Sequence, residues 1–261
     1  MTDDALLLVG RDAGDAHEVY ERHADRLRQR MVAESVRVVT YTEDPQRQVR
    51  DALSTVPEGR TFAVPMCMAH THETTDSLPA AFSTVDTEVQ YCEPVGRSPS
   101  MTRAIVERAA DCGSANPGTS LVLVGLGNST GGYHREVTEY HAAHAREHTD
   151  YNEVVSCYLV QNPAVECVRY NISSESAVAV PLFVASNPAT EEQIPTKLEL
   201  GRGGISYADP LGPHPHVTEA IVDRFETRRV LADSTPSPSS FEAALAETAR
   251  PLATDGDRTS L

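Results

Sequence analysis

Five side chains able to bind a metal or move a proton crowd into one short stretch. In "VPMCMAHTHETTDSLP" (Val64 to Pro79), Cys67, His70, His72, Glu73 and Asp76 fall within ten residues. If "MCMAHTH" continues as an extended chain, side chains alternate, so His70 and His72 project to one face and Cys67 to the other. Two imidazoles at i and i+2 can converge on one divalent ion, with Glu73 or Asp76 as a hard oxygen ligand or a base. Imidazole plus carboxylate suits Co, Ni, Fe or Zn, and geometry and supply select among them. The alternative is structural: one histidine caps the following helix and the other is solvated. A second cluster, His134, His141, His144 and His148, is spaced 7, 3 and 4 and lies along one stripe of a helix. His144 and His148 at i, i+4 could clamp a metal, but the position of His141 reads as an interior-facing one. "VGLGNSTGG" (Val124–Gly132) forms a tight turn between strand and helix, without the glycine spacing of a dinucleotide fingerprint or the lysine of a P-loop. His214 and His216 read as caps of the helix that begins "HPHVTEAIVDRF".

The elements that must position these residues occur twice. "LLLVG" (Leu6–Gly10) returns as "LVLVG" (Leu121–Gly125), and "EVYERHADRLR" (Glu18–Arg28) as "EVTEYHAAHAR" (Glu136–Arg146). His23 and His141 share a position in this repeat. "VPMCMAHTHETTDSLP" returns as "VPLFVASNPATEEQIP" (Val180–Pro195), and "YCEPVGRSP" (Tyr91–Pro99) as "YADPLGPHP" (Tyr207–Pro215). From Val64 through Pro99 the second copy lies 116 residues downstream without a gap. The chain is a duplication, with one domain over residues 1–114 and a second over 115–230. "DCGSANPGTS" (Asp111–Ser120) serves as the linker. Short β-branched runs alternate with helical periods in each copy, which predicts an α/β fold with parallel strands covered on both faces. Ligands of such sheets bind beyond the carboxyl ends of the strands, where the opening stretch sits. Residues 231–261 lose the pattern and read as a mobile tail, with one short helix near 241–249.

Composition sets the outer limits. The 261 residues carry a formal net charge of −16, and Lys197 is the only lysine among the 22 basic residues. No basic stripe is present, which argues against nucleic acid as a partner. A dense acidic surface nearly free of lysine resembles proteins of salt-in haloarchaea. No apolar run approaches a membrane span, the N-terminus lacks the features of a signal peptide, and a cytoplasmic protein without membrane association is expected. The five cysteines are odd in number, contain no CxxC pair and read as reduced thiols.

With strand-"VG", strand-"VP…DSLP" and the paired "YCEPVGRSP" and "YADPLGPHP" in hand, the chain resembles the class II tetrapyrrole chelatases, nearest the CbiX-like sirohydrochlorin cobaltochelatases. The resemblance spans Leu6 to about Phe225. It implies two tandem chelatase-like domains, each a small parallel sheet flanked by helices, with a tetrapyrrole cleft between them in one pseudo-symmetric monomer that can assemble further. It also implies insertion of Co²⁺, as the favoured metal substrate over Ni²⁺ or Fe²⁺, into sirohydrochlorin for cobalamin biosynthesis, without an organic cofactor. Family members hold the metal with a histidine after the first strand, in "GHGS", and another eight residues beyond the proline that ends the third. Here the first position is Arg11 in one copy and Leu126 in the other, and the second is Glu73 and Ala189, with His72 one place before Glu73. On that resemblance His70, His72 and Glu73 are the expected metal ligands, and His72 and Glu73 the catalytic pair. Arg11, Arg97 and Arg202 are the expected anchors for substrate carboxylates. The other reading is a non-catalytic metal- or tetrapyrrole-binding paralogue, or a partner subunit of an active chelatase.

Overall fold

Leu6–Val9 and Leu121–Val124 are unbroken apolar runs, as strands buried on both faces require, and each forms the centre of a parallel sheet. The computed structural model describes residues 4–42, 45–53, 59–85, 87–128 and 132–234. The first half runs β1 (Ala5–Arg11), α1 (Ala16–Gln29), β2 (Ser35–Tyr41), α2 (Pro45–Leu53), β3 (Thr61–Pro65), α3 (Leu78–Phe82), β4 (Val89–Tyr91) and α4 (Ser100–Asp111). The second half repeats it as β5 (Thr119–Gly125), α5 (Tyr133–His148), β6 (Glu153–Tyr158), α6 (Val168–Asn171), β7 (Ser176–Pro181), α7 (Ile194–Lys197), β8 (Ile205–Tyr207) and α8 (Pro215–Ser234). The strand orders are β2-β1-β3-β4 and β6-β5-β7-β8. Leu6 pairs with Val36 and Phe62, and Leu121 with Val154 and Val178. The protein is therefore α/β, with two repeated parallel sheets. The last helix continues past residue 230 to Ser234; the remainder of the expected tail, and the helix expected within it, lie outside the described residues. No helix among the described residues is long and apolar enough to cross a membrane.

One core serves both sheets. Leu6, Leu8 and Phe62 of the first and Leu121, Leu123 and Val178 of the second share a buried cluster with side chains of α1, α4, α5 and α8. The closing helices are exchanged: α8 lies against β3, and α4 against β7. Phe225 of α8 meets Phe62 edge-on at 5.0 Å. The outer faces are covered separately, by α2 and α3 on the first sheet and by α6 and α7 on the second.

Two buried histidines join the halves by the same device used in both directions. His23 in α1 places Nδ1 2.9 Å from the Thr218 hydroxyl and Nε2 3.2 Å from the Gly212 carbonyl. His141 in α5 meets Thr102 at 2.8 Å and the Gly96 carbonyl at 2.8 Å. A carbonyl can only accept, so Nε2–H donates to it and Nδ1 accepts from the threonine, which fixes the neutral tautomer. Burial is the main cause that pushes both imidazoles down to about 4.

Candidate active site: the cleft between the repeats

The carboxyl ends of β1, β3, β5 and β7 open onto one cleft of about 440 Å³, a volume typical of small-molecule sites. Its floor is built by close approach. A Cβ on Gly10 would stand 2.7 Å from the Tyr20 ring, and Tyr20 donates to the Met66 carbonyl at 3.2 Å. One side is closed across the repeats: Asp15 accepts from the Ser186 amide at 2.7 Å and donates its own amide to the Ser186 carbonyl. Gly14, at φ +59°, lies where a Cβ would be 1.9 Å from that carbonyl, so only glycine permits the contact.

After β3 the chain does not stay extended. Residues 66–71 bend, and Glu73–Ser77 form a turn of π-helix that runs into α3, an irregularity frequent at functional sites. The Thr74 hydroxyl holds this turn by donating to the Thr71 carbonyl and accepting the Thr71 amide, and Tyr91 donates to the Thr74 carbonyl at 2.9 Å. Glu73 is thereby turned into the cleft, where Arg11 donates to its carboxylate at 2.9 Å. Burial pushes the Glu73 carboxyl up, but hydrogen bonds from Thr71 and its own amide, with the charges of Arg11 and His72, carry it below the usual carboxylate range. Cys67, also in the lining, is pushed up to about 12 by burial and then by Glu73. Burial likewise raises Tyr20 and Tyr41. At neutral pH the cleft therefore presents a carboxylate and a guanidinium among neutral thiol, phenols and apolar wall.

The bend separates the residues expected to share a metal. His70 points away from the cleft, with Nδ1 3.2 Å from the Thr74 hydroxyl and Nε2 3.3 Å from Glu93. His72 starts the π-turn, 83% exposed and paired with Asp76 at 3.0 Å. His70, His72 and Glu73 thus take three different partners, and no group of three or more His, Cys, Asp and Glu side chains among the described residues is arranged to hold a metal ion. The alternation argument depended on an extended chain that the bend removes. Of the three expected anchors, Arg11 lines the cleft, whereas Arg97 pairs with Glu93 at 3.2 Å and Arg202 with Glu199, both away from it. His144 and His148 do not form a clamp; each donates from Nδ1 to the carbonyl one helical turn back. His214 accepts the His216 amide at the start of α8, and both rings meet Glu107. The glycine turn after β5 is described only through Asn128.

The cleft also holds a histidine that had no functional role assigned from sequence. His134 is the second residue of α5, lines the cleft and is 8% exposed. Its spacing placed it in the helix stripe, while its place in the first turn after a sheet's ligand-binding edge was the signal that set it apart. Burial lowers its imidazole below the ordinary value.

Twin parallel sheets in one chain, with a shared cleft at their carboxyl ends, define an α/β protein of the repeated chelatase-like type. Residues 5–112 and 120–228 each match the family model described as CbiX. The chain belongs to the CbiX family. A probable sirohydrochlorin cobaltochelatase of Halobacterium salinarum is 27% identical over 222 residues, which cover 73% of this chain and 75% of the relative. Bacillus subtilis SirB, solved with Fe³⁺, superposes with a TM-score of 0.74 at 16% identity, covering 89% of this chain and 98% of SirB. A multi-domain Deinococcus radiodurans protein with structural similarity to chelatases gives 0.72 at 20% identity over 86% of this chain. This chain spans 55% of that protein's length. At these identities the solved structures speak for the fold, and family and curated relative together support a chelatase.

Proposed function

We propose that the protein is a metal chelatase that inserts a divalent metal into a tetrapyrrole, with Co²⁺ and sirohydrochlorin as the preferred pair, on a route to cobalamin. One observation carries this reading: Arg11, Leu126, Glu73 and Ala189, the four positions where the family pattern expects metal-binding histidines, all line the same cleft. The active position has passed to one half, where Glu73 and Arg11 form an ion pair 2.9 Å long.

Insertion exchanges two pyrrole N–H protons for one divalent metal, so the cleft must draw the metal to one macrocycle face and take protons from the nitrogens. Glu73 is ionised at neutral pH and can attract the cation and accept a proton in turn. Arg11, more than half exposed beside it, can shift from Glu73 to a peripheral carboxylate of the substrate without leaving the rim. The apolar wall of Leu126, Leu182 and Val184 faces the flat macrocycle. The protein's net charge of −16 opposes a polycarboxylate in dilute buffer, but at molar salt the screening length falls to about 3 Å and the local arginine governs. His72 and Asp76, exposed on the same turn, serve as an outer capture point for the metal.

The test mixes protein, sirohydrochlorin and Co²⁺ in high salt and follows the absorption spectrum. Metal-dependent conversion over many turnovers supports the chelatase. The second reading, a non-catalytic binder, draws on the apolar residues Leu126 and Ala189 at two of the four positions; a stoichiometric spectral shift without turnover would establish it.

A further inference from the structure

His134 is the histidine of the cleft lining, and its ring makes no hydrogen bond among the described residues; the Thr138 hydroxyl bonds its backbone carbonyl instead. The other deeply buried histidines, His23 and His141, use both ring nitrogens. His134 instead leaves its ring nitrogens open to the cleft that it lines and to a ligand that enters it. The repeat sharpens the point. The position 118 residues earlier is Ala16, which also lines the cleft. The second half has thus put an imidazole where the first has a methyl group, and it is the second half that lacks counterparts of Arg11 and Glu73.

Building on the chelatase reading of the cleft, we propose that His134 is the imidazole that meets the divalent metal, a ligand given by the second repeat to act with the Glu73 carboxylate of the first. Burial keeps the ring neutral at neutral pH, so a nitrogen lone pair is available. One imidazole and one carboxylate form a sparse ligand set, and the positive end of the α5 dipole weakens its hold on a cation. Such a site passes a metal on rather than storing it.

The experiment titrates the full-length chain with Co²⁺ alone in high salt, reading visible absorption and the hyperfine-shifted imidazole proton resonances. His134→Ala, His134→Gln and, as control outside the cleft, His148→Ala are compared with wild type, alongside thermal midpoint and sirohydrochlorin binding. Alanine is the residue that the first repeat carries here, and the glutamine variant serves if alanine fails to fold. Both His134 variants should bind Co²⁺ at least about tenfold more weakly and lose shifted imidazole resonances that His148→Ala retains, with sirohydrochlorin binding unchanged. Equal Co²⁺ affinity and resonances in the His134 variants, or no Co²⁺ binding by wild type, would overturn the proposal. Co²⁺ binding through His134 without insertion by wild type would uphold this ligand and sink the chelatase reading. Insertion that survives in both variants together with Co²⁺ binding would do the reverse.

Discussion

The loops after β3 and β7 share a backbone and differ in almost every side chain that matters to chemistry. In both, a threonine hydroxyl ties the turn, at Thr74 to Thr71 and at Thr190 to Asn187. In both, a tyrosine 17 residues on donates to that threonine's carbonyl at 2.9 Å. Both turns are π-helical, at Glu73–Ser77 and Ala189–Gln193. Yet Cys67, His70, His72 and Glu73 face Phe183, Ser186, Pro188 and Ala189 in the repeat. The turn is thus a structural device that survives without its chemistry. On the chelatase reading proposed above, a cleft shared by two such loops needs only one to carry the carboxylate.

The sharpest way to break this contrast is to neutralise the chemical loop. Glu73→Gln keeps the shape and removes the charge, and insertion should fall by about 100-fold, the lower range for loss of a positioned acid or base. Ala189→Gln at the equivalent place should change the rate less than about threefold, within about 0.7 kcal/mol. Steady-state rates of the two variants measure the asymmetry directly. Equal losses would mean that the loops share the work.

Where the halves are structurally alike, their variants should be alike. His23→Ala and His141→Ala each leave a buried carbonyl and threonine unpartnered and open a cavity, so each should cost about 2–4 kcal/mol in urea unfolding. The same residues set a pH dependence. Their folded values near 4 lie below the unfolded value near 6.5, so the unfolded chain binds more protons as pH falls. The stability they contribute is whole above about pH 6.5 and drains away towards pH 4. Between pH 7 and 5 each should remove roughly 2 kcal/mol. Replacing either should flatten the curve by the same amount, and a difference between the two would expose an asymmetry in the joint between halves.

The duplication was legible because apolar runs, glycines and prolines repeat at nearly fixed offset, and these residues set strands and turns. The parallel sheets followed from Leu6–Val9 and Leu121–Val124, whose lack of alternation requires cover on both faces. The exchange of α4 and α8 was not legible, since the apolar stripe of a helix does not say which sheet it covers. At the site, Glu73 and Arg11 could be found by counting from Pro65 and from "VG". His70 and His72 take separate partners for one reason: the sequence shows residue spacing but not the bend at 66–71, which sends neighbouring side chains in different directions. His134 escaped for the converse reason, because a helical stripe hid the one member at its first turn.

The smallest expected effects test that bend. His72 is exposed beside Asp76, and exposed pairs of this kind add little to stability. His72→Ala should therefore slow insertion no more than about threefold at saturating metal, with any larger loss confined to limiting Co²⁺, as an outer capture point requires. Arg97→Ala and Arg202→Ala, whose guanidiniums pair with Glu93 and Glu199 away from the cleft, should leave the KM for the tetrapyrrole within about twofold. A collapse of the rate in His72→Ala comparable with that of Glu73→Gln would mean that the loop straightens when metal arrives. The contrast between the two loops would then lie in their motion as well as in their side chains.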